Sequence, residues 1–300
     1  MKVLELSATP TVLAPLVGGE SSHHIAVGTA RPSWAGFATA MRLAKQVRKD
    51  GCEVVVCHNI DEAQAAVSAR RLTEADGVDF GIALFAPADY APLHVPATVS
   101  QGVDMWVFGN DAQRRHFEAL AAGTVKACRV IAPAPLAAPA TERVPHPVAV
   151  LTWMGDIIAT ERLDALVRGV AQCKTPLEVR VCGTGKPRWV MPIVKRARLD
   201  TAHTFVWLGE DYDIAGELAH ADYGVATMPY PCPADIAMRG GGTIIIDTDD
   251  IAAFANRVDA LNSDPDARAA QSSQTKQLYN EKYSTHIYTR DIIDMLYAMR

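Results

Sequence analysis

A few strand-end side chains and three glycine clusters are the places where this sequence could do chemistry. His58 follows the apolar run Val54-Val55-Val56-Cys57 and precedes Asn59, so it stands where a parallel strand would end and its side chain could meet a ligand. An imidazole there can exchange a proton near neutral pH or bond a hydroxyl, and it can equally cap a loop or the next helix. Asp89-Tyr90 follows the run Gly81 to Phe85, and Asp89 reads as a base, a hydroxyl acceptor or a solvated loop aspartate. Gly183-Thr184-Gly185 sits between a strand pattern and a helix pattern, so its backbone can approach a ligand, with Lys186 and Arg188 in reach of a phosphate. A tight turn with a solvated basic rim is the plainer alternative.

Gly18-Gly19, in the loop after the first strand, leaves room for a pyrophosphate or forms a flexible turn. Gly240-Gly241-Gly242 reads first as a plain loop. His23-His24 would point apart in an extended chain, which disfavours a shared metal. No metal or other cofactor is expected.

These positions need a scaffold, and the apolar runs supply one. Val3 to Leu6, Glu53 to Cys57, Gly81 to Phe85 and Met105 to Phe108 alternate with helical patterns over Trp34 to Lys49, Asp61 to Thr73 and Asp111 to Leu120. Continuously apolar strands are those covered on both faces, so the rhythm predicts a parallel sheet. Pro133, Pro135, Pro139, Pro145 and Pro147 then break any helix or central strand.

The rhythm restarts at Val148-Ala149-Val150-Leu151 and continues through Leu177 to Val181, Thr204 to Leu208, Tyr223 to Thr227 and Thr243 to Ile246. Helices are expected over Glu161 to Gln172, Trp189 to Arg198, Ile214 to His220 and from Asp249-Asp250 to Leu261. The tail reads as helical with a break near Tyr283-Ser284-Thr285, and Ile292, Ile293, Leu296 and Tyr297 form a stripe suited to packing back on the first domain. The resulting division is a first domain over 1–131, a proline-rich linker over 132–147, a second domain over 148–276 and a returning tail over 277–300.

Composition narrows the function classes. A net charge of −5 and scattered basic residues give no footprint for a nucleic-acid backbone. No run of about 18 apolar residues is present to span a bilayer, and the amino terminus lacks a signal-peptide layout. Six cysteines without paired spacing, mostly inside apolar runs, read as free thiols of a reducing cytoplasm. Membrane contact is expected to be peripheral at most, since the tail has no basic face.

From Val148 onward the order of signals resembles the carboxyl-terminal half of GT-B glycosyltransferases, particularly the large retaining family with sucrose-phosphate and polysaccharide enzymes. The residues that carry it are Leu151 to Gly155, Leu163 to Leu166, Glu178 to Gly185, Phe205 to Gly209, Ala219 to Pro229, Asp249 to Phe254 and Ser263 to Arg268. The first half fits less closely, through Met1 to Leu6 with Gly18-Gly19 and through Val103 to Phe108.

The resemblance implies two Rossmann-like domains facing a central cleft, the first on the acceptor side and the second binding a nucleotide diphosphate sugar. It implies transfer of that sugar, with retained configuration and without metal, to a carbohydrate or lipid-linked acceptor. It places the donor near Gly18, Gly19, Gly155, Arg162, Gly183, Gly185 and Lys186, with His58 and Asp89 as acid/base or acceptor groups. Departures are concrete. Asp156 follows Gly155 where the family carries an arginine, Glu161-Arg162 stand near the usual lysine, and between Pro229 and Thr243 the usual glutamate pair is missing, leaving Asp235 and Arg239. Two alternatives therefore stay open: a catalytically inactive member that serves a partner transferase, and a sugar-nucleotide epimerase.

Overall fold

The computed structural model describes residues 1–7, 22–26, 34–86, 95–120, 126–132, 146–154, 160–183, 187–200, 202–209, 213–225, 233–246 and 250–299. They form two compact units, Met1–Pro133 with His286–Arg300, and Ala134–Thr285.

The strands of the first unit are β1 (Val3–Ser7), β2 (Ser22–Ala26), β3 (Val54–Cys57), β4 (Gly81–Phe85), β5 (Met105–Phe108) and β6 (Cys128–Val130). Helices α1 (Trp34–Asp50), α2 (Ile60–Glu74), α3 (Ala97–Gly102) and α4 (Asp111–Leu120) come between them. The sheet runs β2-β1-β3-β4-β5-β6, every pair parallel. Strand order reverses between β1 and β3, the switch point at whose carboxyl edge doubly wound folds bind ligands. Leu4, Leu6, Val55, Cys57, Ile82, Leu84, Trp106 and Phe108 form the core of one face. The alternation of a strand puts Val3, Glu5, Val54, Val56 and Ala83 on the opposite face.

In the second unit β7 (Ala149–Met154), β8 (Leu177–Cys182), β9 (Thr204–Gly209), β10 (Tyr223–Val225) and β11 (Ile244–Ile246) lie in the order β11-β10-β7-β8-β9, again all parallel. Its helices are α5 (Thr160–Val170), α6 (Pro187–Asp200), α7 (Ile214–His220), α8 (Pro233–Gly240), α9 (Ile251–Ser263) and α10 (Pro265–Lys282). The reversal here falls between β7 and β10. Leu151, Trp153, Val179, Val181, Phe205, Tyr223 and Phe254 are central to its core. Asp250 and Asp264 cap α9 and α10 by accepting the N–H of Ala253 and Ala267, which satisfies donors that a helix start leaves open.

The last helix, α11 (Thr285–Ala298), begins at the boundary between the units and otherwise belongs to the first. Its buried side is Tyr288, Ile292, Met295 and Leu296, while Tyr297 is exposed, so the buried stripe is rotated from the one expected. Within the shortened segment, Pro233–Gly240 forms α8. Gly224 lets that helix approach β10: a Cβ there would fall 2.2 Å from the Met238 sulfur. The glycine triplet ends α8. Gly242 has φ 77°, its N–H donates to Arg239 O and that of Thr243 to Met238 O, the pairing of a left-handed helix cap. The triplet thus has a structural reason as the turn that ends α8. The five described cysteines are free, and Cys52, Cys57, Cys173 and Cys182 are buried.

Candidate active site

The first unit concentrates polar chemistry at its switch point. Cys57 ends β3, and the chain then enters α2 through Asn59, whose Oδ1 accepts the Glu62 N–H at 2.9 Å. Glu62 reaches back, and its Oε2 accepts the His58 N–H at 2.7 Å. This reciprocal cap fixes the backbone that carries His58. Burial pushes the Glu62 carboxyl above its ordinary range, against the lowering effect of the backbone donors of His58 and Asn59.

The imidazole turns toward β1. His58 Nε2 lies 2.8 Å from Glu5 Oε1, with Glu5 only 4% exposed at its side chain and His58 24%. A carboxylate only accepts, so in this bond Nε2 is the donor. The Phe85 ring, one strand further, lies 5.6 Å from the imidazole centroid at 34°. Tyr288 of α11 is buried near enough to feel Glu5: burial first, then that negative charge, push its hydroxyl up to about 12. Cys57 is no nucleophile here, because burial and then Glu62 hold its thiol well above the ordinary range.

The second unit offers backbone at the corresponding edge. Gly183 directly follows β8 with φ 146°, Gly209 ends β9 with φ 77°, and the Gly183 N–H donates to Gly209 O at 2.9 Å. Both backbones lie in the region that favours glycine, and a Cβ on Gly209 would meet nothing within 4 Å. Arg162 is in the first turn of α5. Asp235 is 2% exposed on α8, raised by burial and countered by Arg239, whose Nε donates to it at 3.0 Å. As this ion pair, Asp235 and Arg239 are engaged with each other inside one helix and do not stand as two free acidic groups.

Of the expected site residues, His58 and Gly183 are placed at carboxyl edges of their sheets, and Arg162 at a helix start. Gly18, Gly19, Asp89, Gly155, Gly185 and Lys186 lie outside the described residues. His23 and His24 occupy successive register positions of β2, opposite Leu4 and Glu5. Among the described residues no cluster of three or more His, Cys, Asp or Glu side chains could hold a metal ion, and no helix is long and apolar enough to cross a membrane. Glu5 was not anticipated. The available signal was a carboxylate in the middle of a strand that must be covered on both faces.

No protein-family model matches the sequence, and no curated protein matches it. Solved structures do match in fold. A glycosyltransferase of Rickettsia africae superposes with a TM-score of 0.74 at 13% identity, covering 99% of this chain and 90% of that one. The lipopolysaccharide outer core galactosyltransferase WaaB gives 0.73 at 10% identity over the whole of both chains. HepE of Anabaena, solved with UDP and glucose, gives 0.71 at 12% identity over 99% of this chain and all of that one. The chain thus has two parallel-sheet α/β units of the Rossmann type, and its fold is that of the GT-B glycosyltransferases.

Proposed function

We propose that the protein transfers a sugar from a nucleotide diphosphate sugar to a hydroxyl of a carbohydrate or lipid-linked acceptor, without a metal. The observation that carries this reading is likeness in fold over essentially the full length of three glycosyltransferases, one of them holding UDP and glucose. Within that group the ordered resemblance of residues 148–268 favours the large retaining family. In this reading the second unit holds the diphosphate through the backbone around Gly183, Gly185 and Gly155 with Arg162 and Lys186, and Gly18-Gly19 adds room for it. Backbone N–H groups and cations suit the task, because charge builds on the leaving diphosphate as the sugar departs. His58 and Asp89 serve the acceptor hydroxyl in the first unit.

Calorimetry of the full chain with UDP, GDP, ADP and their sugar conjugates tests it. The expected result is saturable micromolar binding of one nucleotide class, unchanged by EDTA. Arg162→Ala should weaken it about tenfold, as for loss of one charge-assisted bond worth about 1.5 kcal/mol. Gly183→Val should abolish it while circular dichroism stays native. A folded protein that binds none of these ligands would overturn the reading in favour of the inactive partner. Conversion of the bound sugar without any acceptor would favour the epimerase.

A further inference from the structure

We infer that the outer face of α1 docks the protein on the surface of an anionic lipid bilayer, with Phe37 and Met41 entering the headgroup layer and Arg42, Lys45 and Lys49 meeting lipid phosphates. This goes beyond the transferase reading and does not rest on it. The sequence of α1 carries Arg42, Lys45, Arg48 and Lys49 and a single acid, Asp50. Its inner face is committed to the core: Ala40, Leu43, Ala44 and Val47 pack with Leu4, Leu6 and Val55 of the sheet. Residues three and four apart share a face, so Phe37, Met41, Lys45 and Arg48 follow one another along the outer side, with Ala38, Arg42 and Lys49 beside them. Phe37 is 59% exposed and Met41 50%, one turn apart on the same helix, and Arg42, Lys45 and Lys49 are exposed as well.

Most of the cations on this face are available to an outside partner. Arg48 is engaged: its Nη2 donates to Leu72 O at 2.6 Å and pairs with Asp76, just beyond α2. Asp50 is engaged too, its carboxylate accepting from Gln46 Nε2 and its carbonyl from Lys2 Nζ at 2.6 Å. Arg42, Lys45 and Lys49 make no hydrogen bond or ion pair with a described residue. In a chain of net charge −5 they are a local surplus of the opposite sign. The residue types then select the occupant. Protein–protein interfaces are depleted in lysine and built around a packed apolar centre, whereas Phe beside Lys and Arg is the pattern of helices that lie in a bilayer surface. Long basic side chains lay their methylenes along apolar neighbours and keep the charged head at the level of the phosphates. The inner face already holds α1 on the sheet, so the helix does not have to fold on binding, and only its outer side chains can enter the lipid. The tail has no basic face, but α1 has one.

Co-sedimentation of the full chain with vesicles of equal parts phosphatidylglycerol and phosphatidylcholine tests this, beside vesicles of phosphatidylcholine alone. Binding is expected on the first, weakening steeply with added salt, and little is expected on the second. Arg42→Gln with Lys45→Gln should lower the partition coefficient about 25-fold, at about fivefold for each cation near an anionic surface. Phe37→Ser with Met41→Ser should lower it about tenfold or more through lost apolar burial. Lys195→Gln with Arg196→Gln removes the same charge from exposed positions of α6 and should leave it within about twofold, because exposed charges beyond a screening length act weakly. Each of these side chains is exposed, so circular dichroism and urea midpoints should stay near native.

Equal binding to both kinds of vesicle, or a loss in the α6 variant as large as in the α1 variants, overturns the inference. So does a wild type that binds neither vesicle. Sedimentation equilibrium then reads the other occupant: self-association that is lost in Phe37→Ser with Met41→Ser makes this face a contact between copies of the chain. Nucleotide affinity by calorimetry should be the same in the wild type and in all three variants. Failure of the transferase reading and failure of the docking face are therefore seen in different measurements.

Discussion

The two units use one device at the amino-terminal edges of their sheets and different devices at the carboxyl edges. Asp104 stands just before β5, and its Oδ2 accepts the N–H of Ile82 on the neighbouring strand at 2.9 Å, while its own N–H donates to Ile82 O at 3.0 Å. Asp222 stands just before β10 and does the same with Val150, at 2.9 Å and 2.8 Å. In both sheets a carboxylate satisfies a strand-start donor. The opposite edges diverge: the first unit offers an imidazole aligned by a buried carboxylate, the second a pair of glycine backbones. Under the proposed function, the amino-terminal carboxylates would belong to stability and the carboxyl-edge groups to chemistry, a division that substitutions can break.

The largest stability effects should fall at the amino-terminal edges. Asp104→Ala removes the acceptor of the Ile82 N–H and the partner of Arg70, which is 17% exposed at its side chain. The pair is only partly buried and Arg70 keeps the carbonyls of Phe80 and Gly102, so the loss should be about 1.5 to 3 kcal/mol, the scale of a hydrogen bond to a charged group. Asp222→Ala, which leaves the Val150 N–H without that acceptor, should lose about 1 to 2 kcal/mol. Urea midpoints check both, and nucleotide binding by the folded fraction should be unchanged. If Asp222→Ala instead removed binding at native stability, the division would fail.

A smaller effect, signed by pH, is expected where β8 begins. Burial pulls the Asp259 carboxyl up, but the N–H groups of Lys174 and Thr175, each 3.0 Å away, outweigh it and hold the group below its ordinary range. Burial pushes His203 below its ordinary range, and its Nδ1 accepts the Leu177 N–H at 3.2 Å. Both groups are depressed in the fold, so both contributions are present above the unfolded values and fade with acid. His203 should begin to lose its contribution below about pH 6.5 and Asp259 below about pH 3.9. Asp259→Asn should reduce stability by about 1 to 2 kcal/mol at neutral pH, the scale of a hydrogen bond to a charged group. That gap should narrow as the pH falls below about 3.9 and the wild-type carboxyl takes up its proton. A constant gap across that range would show that packing, not charge, sets the effect.

These pairings explain what could be read from the sequence. Interior strands were legible because burial on both faces leaves an unbroken apolar run: Val54 to Cys57 and Ala149 to Met154 are buried at every position. The helix start at Asp250 was legible because capping is local. Strands β2 and β6, at the two edges of the first sheet, carry Ser-His-His and an exposed Arg-Val, and they leave no such run. Helix α8 was hidden by its brevity and by flanking prolines and glycines. The candidate site shows the same limit. His58 was visible from its place after an apolar strand, but Glu5 lies 53 residues earlier, and its role exists only once β1 pairs with β3. Side-chain periodicity carries information over a few residues. A carboxylate–imidazole hydrogen bond across strands is a property of topology.

The smallest stability effect should come from removing the Glu5–His58 pair altogether, and it is the sharpest test of the contrast between edges. A buried hydrogen-bonded polar pair loses hydration roughly in proportion to what its bond returns, and even for full ion pairs replacing both members by apolar residues is often neutral or stabilising by about 1 to 4 kcal/mol. Here His58 keeps part of its surface in water, which lessens both sides of that balance. Glu5→Leu with His58→Leu should therefore unfold within about 1 kcal/mol of the wild type. Leu at position 5 would extend the aliphatic face of Val54 and Val56, and Leu at 58 would still meet Phe85. Transfer activity should disappear all the same. A native midpoint with lost turnover would mean that β1 keeps its glutamate for reaction chemistry. A loss of several kcal/mol would mean that the carboxyl edge is held by its charges much as the amino-terminal edge is, and the two ends of the first sheet would no longer differ in kind.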